Sequence, residues 1–151
     1  MKPLHALVLA GIFLATAGLS QETSLDTAAV RFEAVNVYVD SGDRPLAAYQ
    51  FEFAAETGEV TIVGIEGGEH PAFTEPPYYD PAALSRNKVI IAAFSTAKDL
   101  PKGRTRVARI HVRVSGDIEP EYVVALRVAA SADGERIPTT ATWARGERQW
   151  M

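Results

Sequence analysis

Apolar residues recur at every second position of this chain more consistently than at helical spacing, and that alternation restricts what the chain can fold into. The clearest case is Ala47 to Phe53. Ala47, Tyr49, Phe51 and Phe53 share one parity and Ala48, Gln50 and Glu52 the other, which describes a strand with a buried aromatic face and a wetter one. The polar stretch Asp40-Ser41-Gly42-Asp43 precedes it as a turn, with Asp40 and Asp43 suited to turn hydrogen bonds.

Six further runs have strand character: Val30 to Val39, Glu59 to Glu66, Lys88 to Ser95, Arg104 to Ser115, Tyr122 to Ala132 and Arg136 to Trp143. In the first, Val35, Val37 and Val39 oppose Val30 and Phe32 in parity, so the inward face is expected to switch near Glu33 and Ala34 through a bulge. The run Val89 to Phe94 is apolar on both parities and is expected to lie centrally, covered on both faces. In the strand after it, Ile110, Val112 and Val114 oppose Arg109, His111 and Arg113. Asp133-Gly134 is a tight turn between the last two strands, because this pair accepts positive φ. Short strands joined by Gly- and Pro-containing connections predict an all-β, two-layer antiparallel β-sandwich, with no helix beyond a turn or two.

These patterns resemble the cohesin domain, a jelly-roll-like β-sandwich related to certain carbohydrate-binding modules. The resemblance rests on Val39 to Phe53, Glu59 to Glu66 and Lys88 to Ser95, with Arg106 to Val114 and Ala132 to Pro138 fitting the same plan. Cohesins bind dockerin domains through one sheet face, and the related modules bind polysaccharides. The resemblance therefore implies a binding module whose partner is a protein or a polysaccharide.

The N-terminus adds an address. Lys2 and His5 precede an apolar run from Ala6 to Ala17, closed by Gly18 and Ser20. The run is shorter than the ~20 residues needed to span a bilayer, so it reads as a secretory signal peptide cleaved after Ala17 or Ser20. The expected organisation is a signal peptide over 1–20, a flexible segment over 21–29, the sandwich over 30–143 and a fraying tail over 144–151. The product is expected to be secreted or periplasmic, with no membrane insertion after signal cleavage. The chain has no cysteine, which excludes disulfides and leaves burial as the source of stability. Removing Lys2 with the signal leaves 14 of 15 Lys and Arg against 19 Asp and Glu, so the formal charge of −4 becomes −5. That balance gives no case for nucleic acid or an anionic membrane surface.

One connection is long: Gly67 to Asn87 runs for about twenty residues, a length usually functional or disordered. Its Phe73, Tyr78 and Tyr79 are stiffened by Pro76, Pro77 and Pro81. With Asp80 they form the candidate binding site, either as a platform for sugar rings or a protein partner, Trp143 assisting, or as a plug covering an open end of the sandwich. Asp80-Pro81 also suits an N-capped helical turn.

Chemistry-bearing residues are sparse. Glu69, His70, Glu75 and Asp80 share the loop without a recognised metal-ligand spacing, and Asp40, Asp43 and Asp133 suit turns better than a calcium site. No metal and no cofactor are expected. His111 reads as a solvated strand face, and Glu119 and Glu121 flank Pro120 in a loop with no partner in view. The expectation is a protein that binds and is not an enzyme. A basic cluster of Lys98, Lys102, Arg104, Arg106, Arg109 and Arg113 either meets an acidic partner or an anionic polysaccharide, or charges a sheet edge against aggregation.

Overall fold

The structure, a computed structural model, describes residues 28–150, with side chains to Gly146. The expected signal peptide, its cleavage site and nearly all of the flexible segment lie outside the described residues. Seven strands follow one another: β1 Val30–Asp40, β2 Ala48–Ala55, β3 Glu59–Glu66, β4 Lys88–Phe94, β5 Arg104–Ser115, β6 Tyr122–Ala130 and β7 Thr140–Trp150. They form two antiparallel sheets, ordered β3-β5-β1-β7 and β4-β2-β6, which pack face to face as the expected β-sandwich. Among the described residues no helix is long and apolar enough to cross a membrane.

The core comes from the inward parity of each strand: Val35, Val37 and Val39 of β1, Tyr49, Phe51 and Phe53 of β2, and Val107, Ile110, Val112 and Val114 of β5. Each such side chain contributes about 1.5–3 kcal/mol by leaving water, and a chain without disulfides depends on that sum. Tyr49 stacks beside Phe51, and its hydroxyl donates to the Val107 carbonyl at 3.1 Å, so the one polar atom of this aromatic layer is satisfied. Burial pushes the Tyr49 phenol pKa up and keeps it a donor.

β1 does not switch faces. Arg31 and Glu33 continue inward on the parity of Val35, Val37 and Val39, while Phe32 and Ala34 face out. The bulges sit on its partners: Val37 and Tyr38 pair with Ala108 and Arg106, leaving an extra residue on β5, and Glu33 and Val35 pair with Arg148 and Arg145, leaving extra length on β7. The inward charges are tolerated because they meet each other's partners between the sheets. Glu33 is 2% exposed, and its Oε1 accepts from the Tyr122 hydroxyl at 2.5 Å and from Arg145 Nη1 at 3.0 Å. Arg31 donates to the Gly116 carbonyl at 3.1 Å and to Glu119 at 3.2 Å, and Arg145 also pairs with Glu119 at 3.2 Å. Glu119 is thus a member of a network rather than a loop carboxylate without a partner.

Two more expectations are corrected. β4 is an edge strand of the smaller sheet, with its outward face uncovered. The last strand begins at Thr140 and runs to Trp150, so the residues beyond Trp143 add to the sheet along β1 instead of fraying.

Candidate functional site

The outward parity of the three-stranded sheet carries Ile90, Phe94 and Val123, three of the six exposed large apolar side chains among the described residues. β2 and β4 pair Ala48 with Phe94, Gln50 with Ala92 and Glu52 with Ile90, and all six lie opposite in parity to the buried Tyr49, Phe51, Val89 and Ile91. On the other side of β2, Val128, Ala125 and Val123 pair with Gln50, Glu52 and Ala54, and the extra residue of that ladder is Arg127. Phe94 is 65% and Ile90 51% exposed, and Val123 joins them. The Glu52 carboxylate lies between Lys88 Nζ at 3.1 Å and Arg127 Nη2 at 3.9 Å, so the face has an apolar margin and a charged centre.

The long connection adds one ring. Tyr78 pairs with Ala92 through two backbone hydrogen bonds, 2.8 Å from its amide and 3.0 Å to its carbonyl, which caps the open edge of β4. Its ring stacks on Phe94 with centroids 6.2 Å apart and planes 11° apart, and it remains 68% exposed. Tyr78, Phe94 and Ile90 therefore form a strip along this edge.

The rest of the connection is built as a plug. Pro71–Phe73 forms a 3₁₀ turn whose Ala72 amide donates to His70 Nδ1 at 3.1 Å, and Phe73 is buried with its ring 5.4 Å from that of Tyr49. Gly67 and Gly68 permit this path, since a Cβ on either would lie 2.3 Å from a backbone oxygen, that of Thr74 or Arg106. A second 3₁₀ turn, Pro81–Ala83, is capped by Asp80, whose Oδ1 accepts from the Ala82 amide at 2.9 Å. Tyr79 is half-buried against the core. Of the four candidate residues, Tyr78 alone presents a ring to solvent; Phe73 is removed from the set by burial, Tyr79 packs inward, and the exposed Asp80 uses a carboxylate oxygen on its cap. Trp143 is likewise half-buried, edge-on to Tyr122. Sequence reasoning missed Ile90 and Phe94, although both share the parity of Lys88, an outward signal.

The other candidates are dispersed. Among the described residues no three His, Asp or Glu side chains converge as a metal site. Glu69 accepts from the Arg106 amide, and Asp40 accepts from the Gly42 amide at 2.9 Å. Asp133 accepts from the Ser131 hydroxyl, which holds its carboxyl below the usual range. His70 Nε2 lies 3.7 Å from Asp99 and His111 Nε2 3.2 Å from Glu66, in each case with the carboxylate exposed. Comparison with family models, curated proteins and solved structures returned no match.

Proposed function

We propose that the protein is an exported, non-catalytic interaction module that docks a protein partner at the cell envelope through the outer face of the three-stranded sheet. The observation that carries this reading is the exposed strip of Tyr78, Phe94 and Ile90 on rigid backbone. Exposed apolar side chains grouped in this way are the usual anchors of protein interfaces, and stacked rings lose little entropy on binding. The salt-bridged Glu52, Lys88 and Arg127 supply polar complementarity at the centre of the face. The likeness of the strand pattern to cohesins, which dock a protein through one sheet face, supports the same reading, and the N-terminal apolar run supports export. Carbohydrate binding by the 67–87 connection is the weaker reading, because a sugar platform needs more than the single exposed ring of Tyr78. Binding without chemistry is favoured because the His111–Glu66 pair is open to water and, among the described residues, no hydroxyl or thiol side chain lines the cleft beside it.

The test compares capture from envelope extract by the protein and by an Ile90→Ser, Phe94→Ser double variant. A partner retained by the first and reduced by roughly tenfold or more with the second is expected, since buried interface anchors are each worth about 2 kcal/mol or more. Equal recovery with both proteins, or no specific recovery with either, would contradict the reading.

A further inference from the structure

The opposite face, on the four-stranded sheet, carries a different chemistry. Arg104, Arg106, Arg109, His111 and Arg113 all emerge from β5 on this side. The three-residue step from Arg106 to Arg109 should put them on opposite faces of a regular strand. The bulge absorbs it: Val107 and Ala108 are both fully buried, facing Val37 and Tyr38 of β1, so the cationic side chains resume on the outer face. β5 lies between β3 and β1, which excludes the reading of this charge as protection of a sheet edge.

The cations are only partly neutralised. Glu66 reaches His111 at 3.2 Å and Arg109 at 3.9 Å, whereas Arg104, Arg106 and Arg113 have no carboxylate within 4.0 Å among the described residues. Asp40 stands opposite Arg104 in the ladder, but its Oδ1 accepts from the Gly42 amide. The Arg104 guanidinium lies 3.6 Å from the centroid of the Tyr38 ring, which holds it against the sheet. Arg109 is fixed by its Nε donating to Asn36 Oδ1 at 2.9 Å, with Nη1 3.9 Å from Glu66. Phe32, Asn36, Arg109 and His111 line a cleft of about 390 Å³ on the same face, with Gly146 on its β7 side.

We propose that this face binds a carboxylate-bearing polysaccharide laid along β5. The fork of an arginine pairs with a carboxylate through two parallel hydrogen bonds, and three or more such forks in line suit a polymer with repeating acid groups. Phe32 offers a half-exposed ring to a sugar face beside the Arg109 and Asn36 polar groups. An acidic peptide is disfavoured because extended peptides gain affinity by adding a strand to an open edge, and the backbone of β5 is already paired on both sides. The site lies on the sheet opposite Phe94, so it stands or falls separately from the protein-docking face.

Affinity electrophoresis tests the inference with the protein and an Arg104→Gln, Arg106→Gln, Arg113→Gln variant, in gels containing polygalacturonate, uncharged dextran or poly-glutamate. The protein should be retarded by polygalacturonate alone, and the variant should bind it roughly tenfold more weakly or worse. The thermal midpoint of the variant should fall by no more than a few degrees, because among the described residues the replaced guanidinium groups hold no ion pair and only the Arg104 contact with the Tyr38 ring is lost. Absence of retardation, equal retardation of parent and variant, or retardation by poly-glutamate as strong as by polygalacturonate would overturn it.

Discussion

Replacing Glu33 by alanine is expected to destabilise the protein by about 3–5 kcal/mol, the range for removing one member of a buried ion pair. The cost arises from what remains. Arg145 keeps Nη2 on the Pro120 carbonyl and Nη1 beside Glu119 of the exposed loop, but the buried carboxylate that also met it and the Tyr122 hydroxyl between the sheets is gone. Burial, followed by its bond to Glu33, pushes the Tyr122 phenol pKa up, so Tyr122 is a neutral donor that the variant leaves without its acceptor. Urea unfolding monitored by the tryptophans reads the shift. A companion Tyr122→Phe variant, which keeps the ring stacked 5.3 Å from Phe53 and loses only the hydroxyl, should lose about 1–3 kcal/mol. A Glu33→Ala loss below about 1 kcal/mol would show that the network is solvated rather than structural.

The second large effect separates the aromatics of the long connection. Phe73→Ala should cost about 3–5 kcal/mol, because it opens a cavity against Tyr49 and loosens the turn that Gly67 and Gly68 admit. Tyr78→Ala should cost about 1 kcal/mol or less, since it removes an exposed ring and its stacking on Phe94 while keeping both backbone bonds to Ala92. Similar unfolding midpoints for the two variants would contradict the division of this segment into a plug and a presented ring.

The sandwich was legible because period-two alternation responds to burial on one face: β3 and β5 have the limits read from the pattern, and the aromatic parity of β2 lies in the core. Three features escaped for separate physical reasons. The expected switch of face near Glu33 and Ala34 does not occur because the charged Arg31 and Glu33 find inward partners from distant chain, Arg145 lying 112 positions beyond Glu33. The doubly apolar β4 carries the same pattern whether it is covered on both faces or is an edge strand with an exposed apolar face, and only sheet order distinguishes these. β7 has few apolar residues after Trp143 because its stability comes from the backbone ladder with β1, to which side-chain alternation is blind. Within the long connection the sequence left open which rings turn inward, a choice made by close backbone approach at two glycines.

Central to the functional account is the claim that a protein partner seats on the outer face of β4. The direct measurement places a photoactivatable benzoylphenylalanine at position 94, and separately at position 63, in the organism that makes the protein. Val63 is the control because it is exposed on the other sheet. The expected result is a discrete crosslinked protein from position 94, with none from position 63. No adduct from position 94, or the same adduct from both positions, would contradict the claim.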